Sequence, residues 1–236
     1  MKRGIVWLTI LLSQALAGAY AMEYGHYDVT HQVLKVNQPP GGQPSVTVNL
    51  AYLDQVVNDL ASHAANYPPQ FDSPGDLQRA KADVANLSQL LDGIVKTPSP
   101  NPQLLLRTGI VNSFGHNLDI PGTSERAVAT FDALLAQSPN DPAANFFYGK
   151  FLADAGKPTA AIPLLEKAKS LGVANATYPL GIAYMTSGNK DKALENLKLY
   201  AAHAPNDINV PKLIDAIQNG NVQFKKVDQQ PDGSSH

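Results

Sequence analysis

One motif recurs three times in the C-terminal half of the chain. Its first copy is Phe114-Gly115, Leu118, Ala127, Phe131 and Pro139, and its second is Tyr148-Gly149, Leu152, Ala161, Leu165 and Ala168. The third is Leu180-Gly181, Tyr184, Ala193, Leu197 and Pro205. From Gly115 to Gly149 is 34 residues, and from Gly149 to Gly181 is 32. A period of this size marks a supersecondary unit that cannot bury its apolar face alone and needs its neighbours to build a core. Glycine inside an apolar helical stretch costs about 1 kcal/mol relative to alanine, so each of these glycines is expected where two helices approach closely. Ala127, Ala161 and Ala193 are the small residues expected opposite them. Phe131, Leu165 and Leu197 are expected to fill the space between one hairpin and the next, and Gly122, Gly156 and Gly188 to close the turn inside each pair.

The pattern resembles the tetratricopeptide repeat, in which an apolar residue and glycine, an aromatic, a small alanine, a large apolar residue and proline recur about every 34 residues. The chain departs from that pattern at the first large aromatic position, held by Val111, Asn145 and Thr177, and at Val173, where the second copy lacks its proline. The resemblance implies an all-α superhelix of antiparallel helix pairs and a role in binding partners. It also implies that the first helix of each pair lines a concave groove. Carried over position by position, the groove residues are Asn112 and His116 (with Asp119), Phe146 and Lys150 (with Ala153), and Tyr178, Ile182 and Met185. Asn112, Lys150 and Tyr178 would offer hydrogen bonds to a peptide, and Phe146, Ile182 and Met185 an apolar floor. Some members grip a C-terminal carboxylate with a basic cluster; only Asn112 and Lys150 could serve here, so that mode is not expected. The alternative for Phe146, Ile182 and Met185 is plain packing against neighbouring helices.

The rest of the chain divides around these repeats. Met1-Lys2-Arg3, the apolar run from Gly4 to Leu12 and the small residues ending Ala19-Tyr20-Ala21 read as a secretory signal peptide over residues 1–21. The run is short of the roughly 20 apolar residues a spanning helix needs. Residues 22–44, with Pro39-Pro40-Gly41-Gly42 and Pro44, read as a flexible arm. Residues 45–96 read as a helical hairpin that caps the repeats or is itself a degenerate repeat. Its helices are predicted from about Val46 to Asn66 and from Ser73-Pro74, a cap followed by a first-turn proline, to Val95. Residues 103–220 hold the three repeats and a capping helix from Asn209 to Gln218, and 221–236 a disordered polar tail.

Composition narrows the function. The chain has no cysteine, so an exported form must be stable by burial alone. Without Lys2 and Arg3 it carries 16 basic and 20 acidic residues, a net charge of −4, which argues against nucleic acid as a partner. His26, Asp28 and His31 are spaced like metal ligands but lie in the arm without a scaffold to hold them, so no metal or cofactor is expected. His116 beside Asp119 lacks any nucleophile or oxyanion loop, so groove polarity is expected and catalysis is not. Pro163 is expected to kink the helix that holds it. Two functions stay open: a periplasmic adaptor that holds a protein or peptide segment in the groove for envelope assembly, secretion or pilus biogenesis, and an architectural protein that self-associates as a homo-oligomer.

Overall fold

The structure is a computed structural model, and it describes residues 23–38, 41–43 and 45–222. The signal peptide and most of the tail lie outside the described residues. The chain divides into two compact units between Pro139 and Asn140.

The first unit begins with a short helix, α1 (Val29–Gln32), and an antiparallel pair of strands, β1 (Leu34–Asn37) and β2 (Ser45–Val48). The helices α2 (Leu50–Ala64), α3 (Pro74–Val95), α4 (Pro102–Asn117) and α5 (Thr123–Gln137) follow. Side chains start α3, as expected from Ser73-Pro74, and α4. Ser73 accepts from the Asp76 amide ahead of Pro74, and Asn101 accepts from the amides of Gln103 and Leu104 ahead of Pro102. Both α2 and α3 pack on α4. The Arg107 guanidinium on α4 grips both oxygens of Asp54 on α2 at 2.6 and 2.8 Å, and Asn117 Nδ2 donates to the Ala64 carbonyl at 2.9 Å.

Two expectations are corrected here. Residues 45–48 are a strand rather than the start of a helix, because Ser45-Val46-Thr47-Val48 alternates polar and apolar at the period of a strand. Asn49 then opens α2 by accepting from the Tyr52 amide. Nor is the described part of residues 22–44 a flexible arm. Tyr24, Val29 and Val33 are buried, and Tyr24 lies with no exposure at all between α2 and α3. Its hydroxyl donates to Asp83 on α3 (3.0 Å), and its ring meets His63 of α2 and Phe71 edge-on. A lone tyrosine carries no periodicity, so pattern reading misses its burial.

The second unit holds α6 (Pro142–Asp154), α7 (Pro158–Ser170), a single 3-10 turn at Ala174–Ala176, α8 (Thr177–Thr186), α9 (Lys190–His203) and α10 (Asn209–Gln218). These form two closed hairpins, α6–α7 and α8–α9, with α10 against α9. A Cβ placed on Gly149 would come within 2.7 Å of Leu165 Cγ, and one on Gly181 within 2.8 Å of Leu197 Cγ. Each leucine therefore covers the glycine of its own pair, a closer role than filling the space between pairs. Gly156 and Gly188 end α6 and α8 in the left-handed region, where the Lys157 and Asn189 amides bond back to Leu152 and Tyr184 at 2.8 Å. α7 runs unbroken through Pro163, whose ring faces solvent. The helix α10 has the predicted bounds and buries Val210, Leu213, Ile214 and Ile217.

The hairpin α4–α5 differs in register from these two. Its turn takes five residues, 118–122, against three, 155–157, in α6–α7. The left-handed position that ends the helix is Asp119, with Gly122 leading into α5. In this pair Phe131 covers Gly109, at 2.6 Å from a built Cβ, and Gly115 meets Thr123 instead. The left-handed residue that ends α4 thus stands three positions before the expected Gly122, a displacement of close to one helical turn.

Candidate interaction surface

In the first unit that displacement decides the fate of the groove residues named from the sequence. Asn112 has no exposure. Its Oδ1 accepts from Ser88 Oγ of α3 at 2.6 Å, and Ser88 Oγ accepts in turn from Arg126 Nε of α5 at 2.9 Å. Asn112 is therefore a core residue that ties three helices together, not a groove donor. A shift of three positions turns a helix face by about 60°, enough to carry a side chain from solvent to an interface. His116, one turn further on, is half-buried, and Asp119 is spent on the turn.

In the second unit the named residues separate into two sets. Ile182 and Met185 on α8 lie partly buried against the cluster of Leu197, Val210, Leu213, Ile214 and Ile217, so they are packing residues beneath α10 rather than an open floor. Phe146, Lys150 and Tyr178 stay at the surface. Phe146 stands edge-on to Phe147 at 5.0 Å between ring centres. Lys150 Nζ donates to Asp154 Oδ2 at 2.6 Å, so its ammonium is held one turn along its own helix and is not a free clamp for a carboxylate. Tyr178, 36% exposed, lies 5.1 Å from the ring of Tyr200 on α9. The Tyr200 hydroxyl points to Asp207 Oδ2 at 3.5 Å. Burial first, then the charge of Asp207, the neighbouring Tyr200 and Asp154, push the Tyr178 hydroxyl above its ordinary range and keep it a neutral donor. The surface is thus a tyrosine pair edged by two carboxylates and one paired ammonium. Such a set accepts hydrogen bonds and stacks against cations better than it binds anions.

Sequence reasoning missed the partners Tyr200, Asp154 and Asp207, which stand outside the carried-over positions. It also missed a cleft of about 290 Å³ between α7, α8 and α9. There the Tyr184 hydroxyl donates to Glu166 and accepts from Lys192 Nζ at 3.1 Å, while Lys169 Nζ reaches Asn196 Oδ1 at 2.9 Å. Burial and the Glu166 hydrogen bond push the Tyr184 hydroxyl up, and the bond to Tyr184 holds the Lys192 ammonium above its usual range. These groups satisfy one another and bind the second helices of successive pairs to the first. Tyr184 was legible as a motif position, but the ions around it were not.

His31 Nδ1 lies 2.8 Å from Asp28 Oδ1 and His26 pairs loosely with Glu23, so the three arm residues do not converge. Among the described residues no group of three or more His, Cys, Asp or Glu side chains is placed to hold a metal ion. No described helix is long and apolar enough to cross a membrane.

Residues 122–179 match the family model of the tetratricopeptide repeat. The match starts after α4, the helix whose register departs from the others. A comparison with curated proteins gives no significant match. Among solved structures, a crystal structure of MamA is similar at 24% identity and a TM-score of 0.52, covering 64% of this chain and 86% of that one. A crystal structure of MamA protein is similar at 25% identity and a TM-score of 0.52, covering 62% and 78%. MamA from residue 41 to its end, from Desulfovibrio magneticus RS-1, is similar at 23% and 0.50, covering 61% and 76%. The matched segment and the glycine-on-leucine hairpins agree: residues 122–179 carry tetratricopeptide repeats, which support a protein–protein interaction scaffold, and the chain shares its helical fold with these solved structures.

Proposed function

We propose that this chain is an exported adaptor that holds a basic or hydrogen-bond-donating peptide segment on the α6–α8 side of its second unit, in envelope assembly, secretion or pilus biogenesis. The observation that supports a site there is the Tyr178–Tyr200 pair with Asp154 and Asp207 beside it. Two neighbouring rings, tilted 50° to each other, present apolar area at little entropic cost, and their carboxylate neighbours select for donors and cations. Export rests on the sequence of residues 1–21, and the absence of cysteine is compatible with an oxidising compartment.

A photo-crosslinking residue at position 178 tests the surface, with exposed Lys157 as the control position. The expected result is a discrete cross-linked protein from position 178 that is lost in a Tyr200→Ala background. Equal labelling from both positions would remove the site. Fractionation of cells producing the full chain tests export: the protein is expected in the periplasm, shortened by the leader, and a full-length cytoplasmic product would remove that part.

A further inference from the structure

His63 on α2 is buried, with only 2% of its side chain exposed. Its ring stacks on Phe71 at 4.9 Å between centres and meets Tyr24 edge-on. Both of its nitrogens face acceptors. Nδ1 lies 3.0 Å from the Gln70 carbonyl, and Nε2 lies 3.5 Å from Asp59 Oδ1. A carbonyl and a carboxylate accept and never donate, so a ring with one proton satisfies only one side. With that proton on Nδ1, the Nε2 lone pair opposes the carboxylate; with it on Nε2, the Nδ1 lone pair opposes the carbonyl. Only a ring with two protons donates to both. Nε2 is the atom left buried without a hydrogen bond, a costly position for a polar group.

Asp59 carries this choice to the N-terminal segment. Its other oxygen, Oδ2, accepts from the Gly25 amide at 2.9 Å and from the Tyr27 hydroxyl at 2.7 Å. One carboxylate, 17% exposed, therefore joins His63 to the segment that Tyr24 anchors. Seating the segment over a lone carboxylate costs more than seating it over a neutralised pair, because burial penalises an uncompensated charge. An imidazolium also fixes the carboxylate in the orientation that receives the segment. A cavity of about 90 Å³, lined by Ser62, His63, Asn66 and Gln70 among others, has room for the water that brings the proton.

We propose that residues 23–33 form a pH-operated strap: a second proton on His63 fastens the segment to α2 through Asp59, and loss of that proton loosens it. The sign follows from the contacts. The second proton gains a buried partner while the strap is down, so the fastening is present in acid and lost as pH rises through the histidine range. Other ionisable groups surround the pair. The segment brings Tyr24 and Tyr27, whose hydroxyls burial, first of all, pushes far above their ordinary range. From α3 come Arg79 and Asp83, the latter raised by burial. His26 and His31 on the segment are exposed and pair with Glu23 and Asp28. All of these, and His116 on α4, are kept in the variants below, so differences between variants belong to His63 and Asp59. The strap does not rest on the surface at Tyr178.

Hydrogen exchange at the Gly25 amide, corrected for its intrinsic pH dependence, reads the strap because that amide bonds Asp59. In the full wild-type chain its protection is expected to fall about tenfold or more from about pH 5 to about pH 8. The Leu197 amide of α9 is the reference and is expected to hold constant. His63→Gln and Asp59→Asn are each expected to flatten the Gly25 response; Asn keeps an oxygen for the segment but no charge for the ring. Nitrogen-15 spectra of the wild-type His63 ring are expected to show both nitrogens protonated at the lower pH and Nδ1 alone at the upper. A flat Gly25 response in wild type, an undiminished one in Asp59→Asn, or a singly protonated ring at the lower pH would each overturn the strap. Asp59→Asn and the wild-type spectra decide the matter even where His63→Gln loses its helix content.

Discussion

The hairpins α6–α7 and α8–α9 and the helix pair α2–α3 solve one problem in opposite ways. In the first two, glycine on one helix lets a leucine of the other sit against bare backbone, and nothing is left to fill. Between α2 and α3 no glycine permits that approach, and the gap is taken by Tyr24 from outside the pair, anchored through Asp83, Arg79 and Asp59. Close approach written into small residues makes a unit that is complete once its turn is formed. A gap filled by a separate segment makes a unit whose completion depends on a distant stretch of chain.

The largest test of this difference is Tyr24→Ala. Deleting a buried aromatic typically costs about 3–5 kcal/mol, and here it also strips Asp83 of its hydroxyl partner. The first unit is expected to melt far below wild type, and a shift of only a degree or two would return residues 23–33 to the status of an arm. Ala161→Phe probes the closed hairpins from the other side. Ala161 has no exposure, so the added ring is expected to cost about 1–3 kcal/mol or more by overpacking, while Lys157→Ala at the exposed start of α7 stays within about 0.5 kcal/mol. Equal melting temperatures for those two variants would mean that α7 does not face α6 as described.

Alkaline pH tests how far the Tyr24 hydroxyl is sequestered. Burial first, then Asp83, raise the Tyr24 hydroxyl far above its ordinary value of 10.0. A folded-state pKa above the unfolded value leaves stability whole below pH 10 and removes it above, at about 1.4 kcal/mol per pH unit for this one proton. Denaturant melts of wild type and Tyr24→Phe are expected to diverge in slope with pH only above 10, and parallel curves would show that the hydroxyl is not sequestered. The smallest effect is expected for Gly149→Ala. Its Cβ would crowd Leu165 at 2.7 Å, a cost of about 1–3 kcal/mol that helix propensity offsets by about 1 kcal/mol. A stabilised variant would mean that the leucine yields freely and that the glycine is not what closes the pair.

Local signals carried much of this architecture. The recurrence of Gly149 and Gly181 with Ala161 and Ala193 located the hairpins, Ser73-Pro74 located the start of α3, and the spacing of Val210, Leu213, Ile214 and Ile217 located α10 to the residue. Each of these is a short-range regularity: a period, a cap or a turn residue acts within a few positions of itself. Two buried positions that broke the aromatic pattern are explained locally as well, since Asn145 Nδ2 and Thr177 Oγ1 bond carbonyls of Asp141 and Ala174, four and three residues back.

What only the tertiary structure decided is wherever one residue's role depends on another far along the chain. Asn112 lies in the core against Ser88, 24 residues away on α3, and no count along α4 alone could show it. Ile182 and Met185 became packing because α10 folds over them, while Tyr178, which does not pack against that cluster, stays at the surface. The burial of Tyr24 needed Asp83, 59 residues away, to receive its hydroxyl. Sequence by itself determined that this chain would stack helix pairs, because the glycine and alanine spacing permits little else. Which helix faces remained open to a partner was decided by long-range packing, because exposure belongs to the neighbours of a side chain and not to the side chain.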